Sequence, residues 1–131
     1  MIKDIKVKNT LIAQLYNINN FNKSLFPTPD NENFQFGYGN IQEDKVLVPH
    51  IHKKINRKIT NTSEFLYVIN GEMEIDIFDE SKKFIKKVFL KKNMALLQFI
   101  GGHAIKIKSG TKYFEVKQGP YLGQNIDKYT F

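Results

Sequence analysis

From residue 34 onward the chain is a succession of short runs rich in β-branched and aromatic side chains: FQFGYGNI, KVLVPHIH, EFLYVIN, EMEIDIF, KKVFL, MALLQF, HAIKIK and TKYFEVK. Turn-forming pairs and triplets stand between them, among them Asn70-Gly71, Asp79-Glu80-Ser81, Lys92-Asn93 and Ser109-Gly110. No helical periodicity interrupts the series. Short strands at near-regular spacing predict an all-β, antiparallel sandwich or barrel. At 131 residues the chain is long enough for one core and too short for two of usual size, so a single domain is expected. Residues 1–33 are less legible. Thr10 is placed to cap a short helix over Leu11 to Tyr16, an edge strand is the other expectation, and Pro27 and Pro29 mark a loop.

A side-chain period of two divides each run into faces. In 45–52 the set Val46, Val48, His50, His52 shares one face and Leu47, Pro49, Ile51 the other. In 64–70 Glu64 continues the stripe of Leu66 and Val68, and in 103–108 His103 continues that of Ile105 and Ile107, while Ala104, Lys106 and Lys108 form the wet side. Every histidine in the chain, together with Glu64, therefore ends an apolar, inward-facing stripe. With no cysteine in the chain, any metal must be held by nitrogen and oxygen. Two imidazoles at i and i+2 on a strand project side by side, which suits two adjacent positions on one ion. His50, His52, Glu64 and His103 are the candidate ligands.

These residues resemble the cupin family, whose small jelly-roll-like β-barrels carry two motifs. The first, HxH followed by Glu and, after six intervening residues, Gly, is met by His50-Ile51-His52, Glu64 and Gly71; the second, a His after a Gly-containing turn, is met by His103 in MALLQFIGGHAI. The resemblance covers residues 34–117, with 1–33 as an N-terminal segment and 118–131 as a tail packed on the barrel. It implies an antiparallel cupin barrel holding a divalent ion, Fe, Mn, Zn or Ni, on the two His and the Glu of the first motif and the His of the second. Two departures stand out. Eleven residues separate His52 from Glu64 where three or four are usual, and Asn93-Met94 stands where Gly-Asp usually opens the strand before the second motif. Asn tolerates the left-handed backbone required there.

The loop 53–63 carries Lys53, Lys54, Arg57 and Lys58. It reads either as a solvated loop or as a cationic lid, with Arg57 able to grip a phosphate or carboxylate by two prongs. Gln118-Gly119-Pro120-Tyr121 reads as a turn able to bring Gln118 or Tyr121 to the barrel mouth, and such a tail resembles that of short bacterial cupins of surface-polysaccharide sugar pathways. The expectation is a metal-binding protein that binds, isomerises or epimerises a sugar or sugar nucleotide. The alternatives are a metal-free keto-sugar-nucleotide isomerase, with His52 or His103 as base and Tyr121 as acid, and a non-catalytic binding module. The net charge of +7 is nearly all lysine, with Arg57 the only arginine, and lysines alternate with apolar residues, so nucleic acid is not the expected partner. No leader or membrane span is legible, which gives a cytoplasmic expectation, and exposed sheet edges point to a homodimer.

Overall fold

A computed structural model describes all 131 residues. Eight strands form: β1 (Ile2–Val7), β2 (Thr10–Asn17), β3 (Glu64–Asn70), β4 (Glu72–Phe78), β5 (Phe84–Lys91), β6 (Met94–Gln98), β7 (Gly102–Ile107) and β8 (Lys112–Lys117). They make two sheets, one of five strands in the order β1-β2-β6-β3-β8 and one of three in the order β5-β4-β7, with every pairing antiparallel. Neither sheet closes into a barrel. The only helices are a 3-10 turn at Ile18–Asn20 and α1 (Gln124–Asp127), and no helix is long and apolar enough to cross a membrane.

The alternation in β3 to β7 does what it predicts. Leu66 and Val68 from β3, Leu96 from β6, Met73, Ile75 and Ile77 from β4, and Val88 and Leu90 from β5 form one buried cluster between the sheets. The other face of the five-stranded sheet is apolar too. Tyr16, Ala95, Leu97 and Phe99 lie buried there, covered by Phe21, Leu25, Phe34, Phe36 and Tyr38 from the irregular stretch after β2. Glycine is needed at two turns. Gly71, at φ +92 in the β3–β4 turn, leaves no room for a Cβ against the Thr111 backbone, and Gly101, at φ +82 just before β7, has the Phe78 carbonyl where a Cβ would stand. Asn93 takes the left-handed backbone at φ 61, and its side chain accepts from the Tyr67 hydroxyl at 3.0 Å.

Three expectations are corrected. Residues 10–17 form a strand rather than a capped helix: β2 has β1 and β6 as ready partners, and one apolar set on each of its faces finds a cluster to enter. FQFGYGNI is not a strand. Its phenylalanines lie across the outer face of the five-stranded sheet, and only Tyr38 makes a bridge, to Leu25. KVLVPHIH is not a strand either: it pairs with no strand of either sheet. Val46 and Val48 are 91% and 81% exposed, so their expected inward stripe does not exist in this conformation.

Candidate functional site

The site is built at the ends of three strands. Glu64 opens β3 on the face of Leu66 and Val68, and its cross-strand neighbours are Gln98 of β6 and Lys117 of β8. His103 lies on β7 opposite the buried Ile77, which sets it on the inner face of the three-stranded sheet. The two sheets thus present Glu64 and His103 to each other, with Oε1 and Nε2 3.8 Å apart and both side chains largely covered.

Gln98 fixes what the imidazole can do. Its Nε2 donates to the carbonyls of Ile100 at 3.1 Å and Gly102 at 3.0 Å, so its Oε1 must be the atom facing His103 Nδ1 at 3.0 Å. An acceptor at that position requires a proton on Nδ1. In the neutral ring the lone pair is then on Nε2, on the side of Glu64. Two electron-pair donors are aimed at one small region, and a cation between them, a proton or a metal ion, is what such a pair accommodates. Lys117, whose ammonium is held above the usual lysine range chiefly by its hydrogen bond with Glu115 and also feels Glu64, stands at the rim with the Tyr121 ring 5.7 Å away.

The remaining candidates are elsewhere. His50 and His52 have their rings edge to face, with centroids 5.3 Å apart, on the exposed stretch 41–62, and the His50 Nδ1 is occupied by the Val48 carbonyl at 3.0 Å. No group of three or more metal-capable side chains comes together. Tyr121 is 65% exposed. Arg57 and Gln118, by contrast, are brought together. They line one cleft of about 820 Å³ with Asp30, Asn31, Glu32 and Gln35, and burial raises the Glu32 carboxyl above its ordinary range. The Gln118 backbone N–H donates to the Ser63 carbonyl at 2.9 Å, which ties this cleft to the residue preceding Glu64.

Sequence reasoning missed Gln98 and Lys117. Gln98 carried a signal, since it shares the inner-face parity of Met94 and Leu96; Lys117 carried none, because only the register of β3 against β8 sets it opposite Glu64. Comparison with models of protein families, with curated proteins and with solved structures finds no match.

Proposed function

We propose that this chain binds a divalent metal ion between its two sheets, with Glu64 and His103 as the fixed half of the ligand set and His50 and His52 as the half carried by the exposed stretch, and that it acts on a small polar molecule at that site. The observation that carries the reading is the Gln98 lock on His103, which leaves Nε2 as the free donor facing a carboxylate. A partner that fixes the second ring nitrogen of a ligating histidine is the usual support of such a ligand. When bound, the ion supplies Lewis-acid polarisation of a substrate oxygen. The Arg57–Gln118 cleft, rich in amides and carboxylates, is suited to a hydroxyl-rich ligand. A sugar or sugar nucleotide is the proposed class, with Arg57 on its phosphate and isomerase- or epimerase-like chemistry as the proposed reaction. A homodimer through β8, whose six residues are all exposed, belongs to the same proposal; a clean monomer by light scattering at working concentration counts against it.

The test is titration of protein purified without a nickel column with Co²⁺ and Zn²⁺, beside elemental analysis. One equivalent binds, His103→Ala loses it, and Glu64→Gln weakens it at least tenfold, as the loss of a ligand demands. Unchanged binding in both variants sinks the reading. One observation favours a metal-free alternative, namely the line from Tyr121 through Lys117 to Glu64 and His103. On that reading His103 is the base and Tyr121 the acid, and saturable sugar-nucleotide binding by metal-free protein is the result that supports it.

A further inference from the structure

We infer that residues 45–52 dock as an antiparallel strand on the open edge of β7 in their own chain, with His52 opposite His103, His50 opposite Ile105 and Val48 opposite Ile107. The inference goes beyond the metal reading and stands on backbone geometry. β7 is paired by β4 on one side only. Lys108, one residue past its end, donates its N–H to the Glu72 carbonyl at 3.1 Å. Alternation along the strand then directs the N–H and C=O groups of His103, Ile105 and Ile107 away from β4, to the open edge. These three residues also share the inner face, where Ile105 packs on the core and Ile107 is 45% exposed. A strand added at this edge must match both alternations at once.

Residues 45–52 match them. Directly opposed residues share a face, so the inner positions fall to Val46, Val48, His50 and His52, the set that is wet in the undocked chain. Those same even-numbered residues turn their backbone groups to β7, and the odd-numbered ones turn theirs to solvent. Pro49, which has no N–H, falls on the solvent side, where no ladder bond is lost. Of the registers that keep this parity, two set a histidine of this segment opposite His103. With His50 opposite His103, Lys45 would oppose Lys108, a like-charge pair that disfavours pairing. The register two residues on places Leu47 against Lys108 and Ile51 against Ala104, and it sets the His52 ring beside His103.

The tether decides between this chain and a second copy. The docked segment ends at His52, beside His103, and β3 begins at Glu64, whose carboxylate is already 3.8 Å from that ring. Residues 53–63 reach up to about 35 Å when extended, so they close this short gap without strain. A flexible link of that length gives an effective concentration in the millimolar range, on the order of 1 mM. A second copy at micromolar concentration cannot compete. The undocked chain described here and the docked one are then two states, and any ligand that needs His52 and His103 together draws the strand in.

The absence of cysteine makes the test clean. Val48→Cys with Ile107→Cys alters two exposed side chains and puts two thiols at a hydrogen-bonded pair, whose Cα separation of about 5.5 Å suits a disulfide. Mild oxidation at micromolar concentration is expected to give a monomer with no free thiol and a joined pair of peptides around residues 48 and 107. The control, Leu47→Cys with Ile107→Cys, has the wrong parity and is expected to keep its thiols. A disulfide-linked dimer, persistent free thiols in the first variant, or equal cross-linking in both overturns the inference. Co²⁺ titration of the cross-linked monomer separates the two proposals: cross-linking without metal binding keeps the docking and removes the metal, and metal binding without cross-linking does the reverse.

Discussion

Residues 18–40 and 41–62 both run almost without regular structure between strands, yet one is stitched to the body and the other is bare except where Arg57 and Ile59 line the cleft beside residues 30–35. In the first, the Phe36 ring lies 4.5 Å from that of Tyr16 and 5.2 Å from that of Phe65, Leu25 and Tyr38 exchange backbone hydrogen bonds, and the Thr28 hydroxyl accepts from the Phe36 N–H. In the second, the side-chain hydrogen bonds are local, Gln42 with Asn40 and His50 with Val48, and Ile51 is 93% exposed. Alternation does not separate them, because both stretches have it. The first falls across an outer sheet face that Tyr16, Phe65 and Tyr67 have already made aromatic, so its rings find partners without forming a ladder. The second has only sheet edges to use, and an edge rewards a strand only when a whole row of backbone groups pairs together.

The comparison breaks most visibly by truncation. Phe36→Ala is expected to cost about 3 kcal/mol, the low end for a phenylalanine because the ring keeps some exposure, read from urea midpoints. Ile51→Ala is expected to stay within about 0.5 kcal/mol. Its side chain faces water in the undocked state and the outer, wet side of the sheet in the docked one. A cost above 1 kcal/mol for Ile51→Ala would mean that 41–62 packs against the body after all.

How much of this was legible follows the same division. β3 to β8 could be read because each has a period of two bounded by turn residues that the backbone uses, Gly71 and Asn93 at positive φ among them. The inward positions of Glu64 and His103 could be read from that period, since each continues a stripe that is buried at Leu66 or reaches the core at Ile105. What the period cannot supply is a partner. KVLVPHIH alternates as well as EFLYVIN does, but β3 has β6 on one side and β8 on the other, and 45–52 has neither. β2 went unread for the opposite reason. A bulge at Ile12, left unpaired where Ala13 faces Ile5 and Leu11 faces Lys6, sets both Ile12 and Ala13 in the core, which blurs the alternation of TLIAQLYN into something closer to a helical repeat.

Gln98 sharpens the contrast on the side of the body, where half of the proposed site is already rigid. It is 4% exposed, and its amide bonds two carbonyls and one imidazole. On the metal reading Gln98→Leu keeps the volume, removes the acceptor for Nδ1–H and frees the ring to turn. Metal affinity is then expected to fall about 10- to 100-fold with both ligands intact. Gln98→Glu restores the acceptor and is expected to recover most of that loss. Equal losses in the two variants would assign Gln98 to packing alone.

The smallest effect tests how firmly 18–40 is held. Tyr16 is fully buried, its hydroxyl donates to Gln14 Oε1 at 2.7 Å, and Gln14 Nε2 in turn donates to Asp4 at 2.9 Å and to the Pro27 carbonyl at 3.4 Å, so this chain of bonds joins β1, β2 and the covering segment. Tyr16→Phe is expected to cost about 1 kcal/mol at neutral pH. Burial pushes the Tyr16 hydroxyl up to about 12 from 10.0. The folded state therefore keeps this proton where the unfolded chain gives it up. The associated stability is fully present below about pH 10, declines as the pH rises further, and is gone above about pH 12. Urea midpoints of the wild type should accordingly fall toward and then below those of Tyr16→Phe between pH 10 and 12, since the rise from 10.0 to about 12 is linked to more stability than the hydrogen bond alone supplies, the other tyrosines titrating alike in both. Curves that run parallel through this range would mean that the hydroxyl is wetted, and that the segment over it is as loosely held as 41–62.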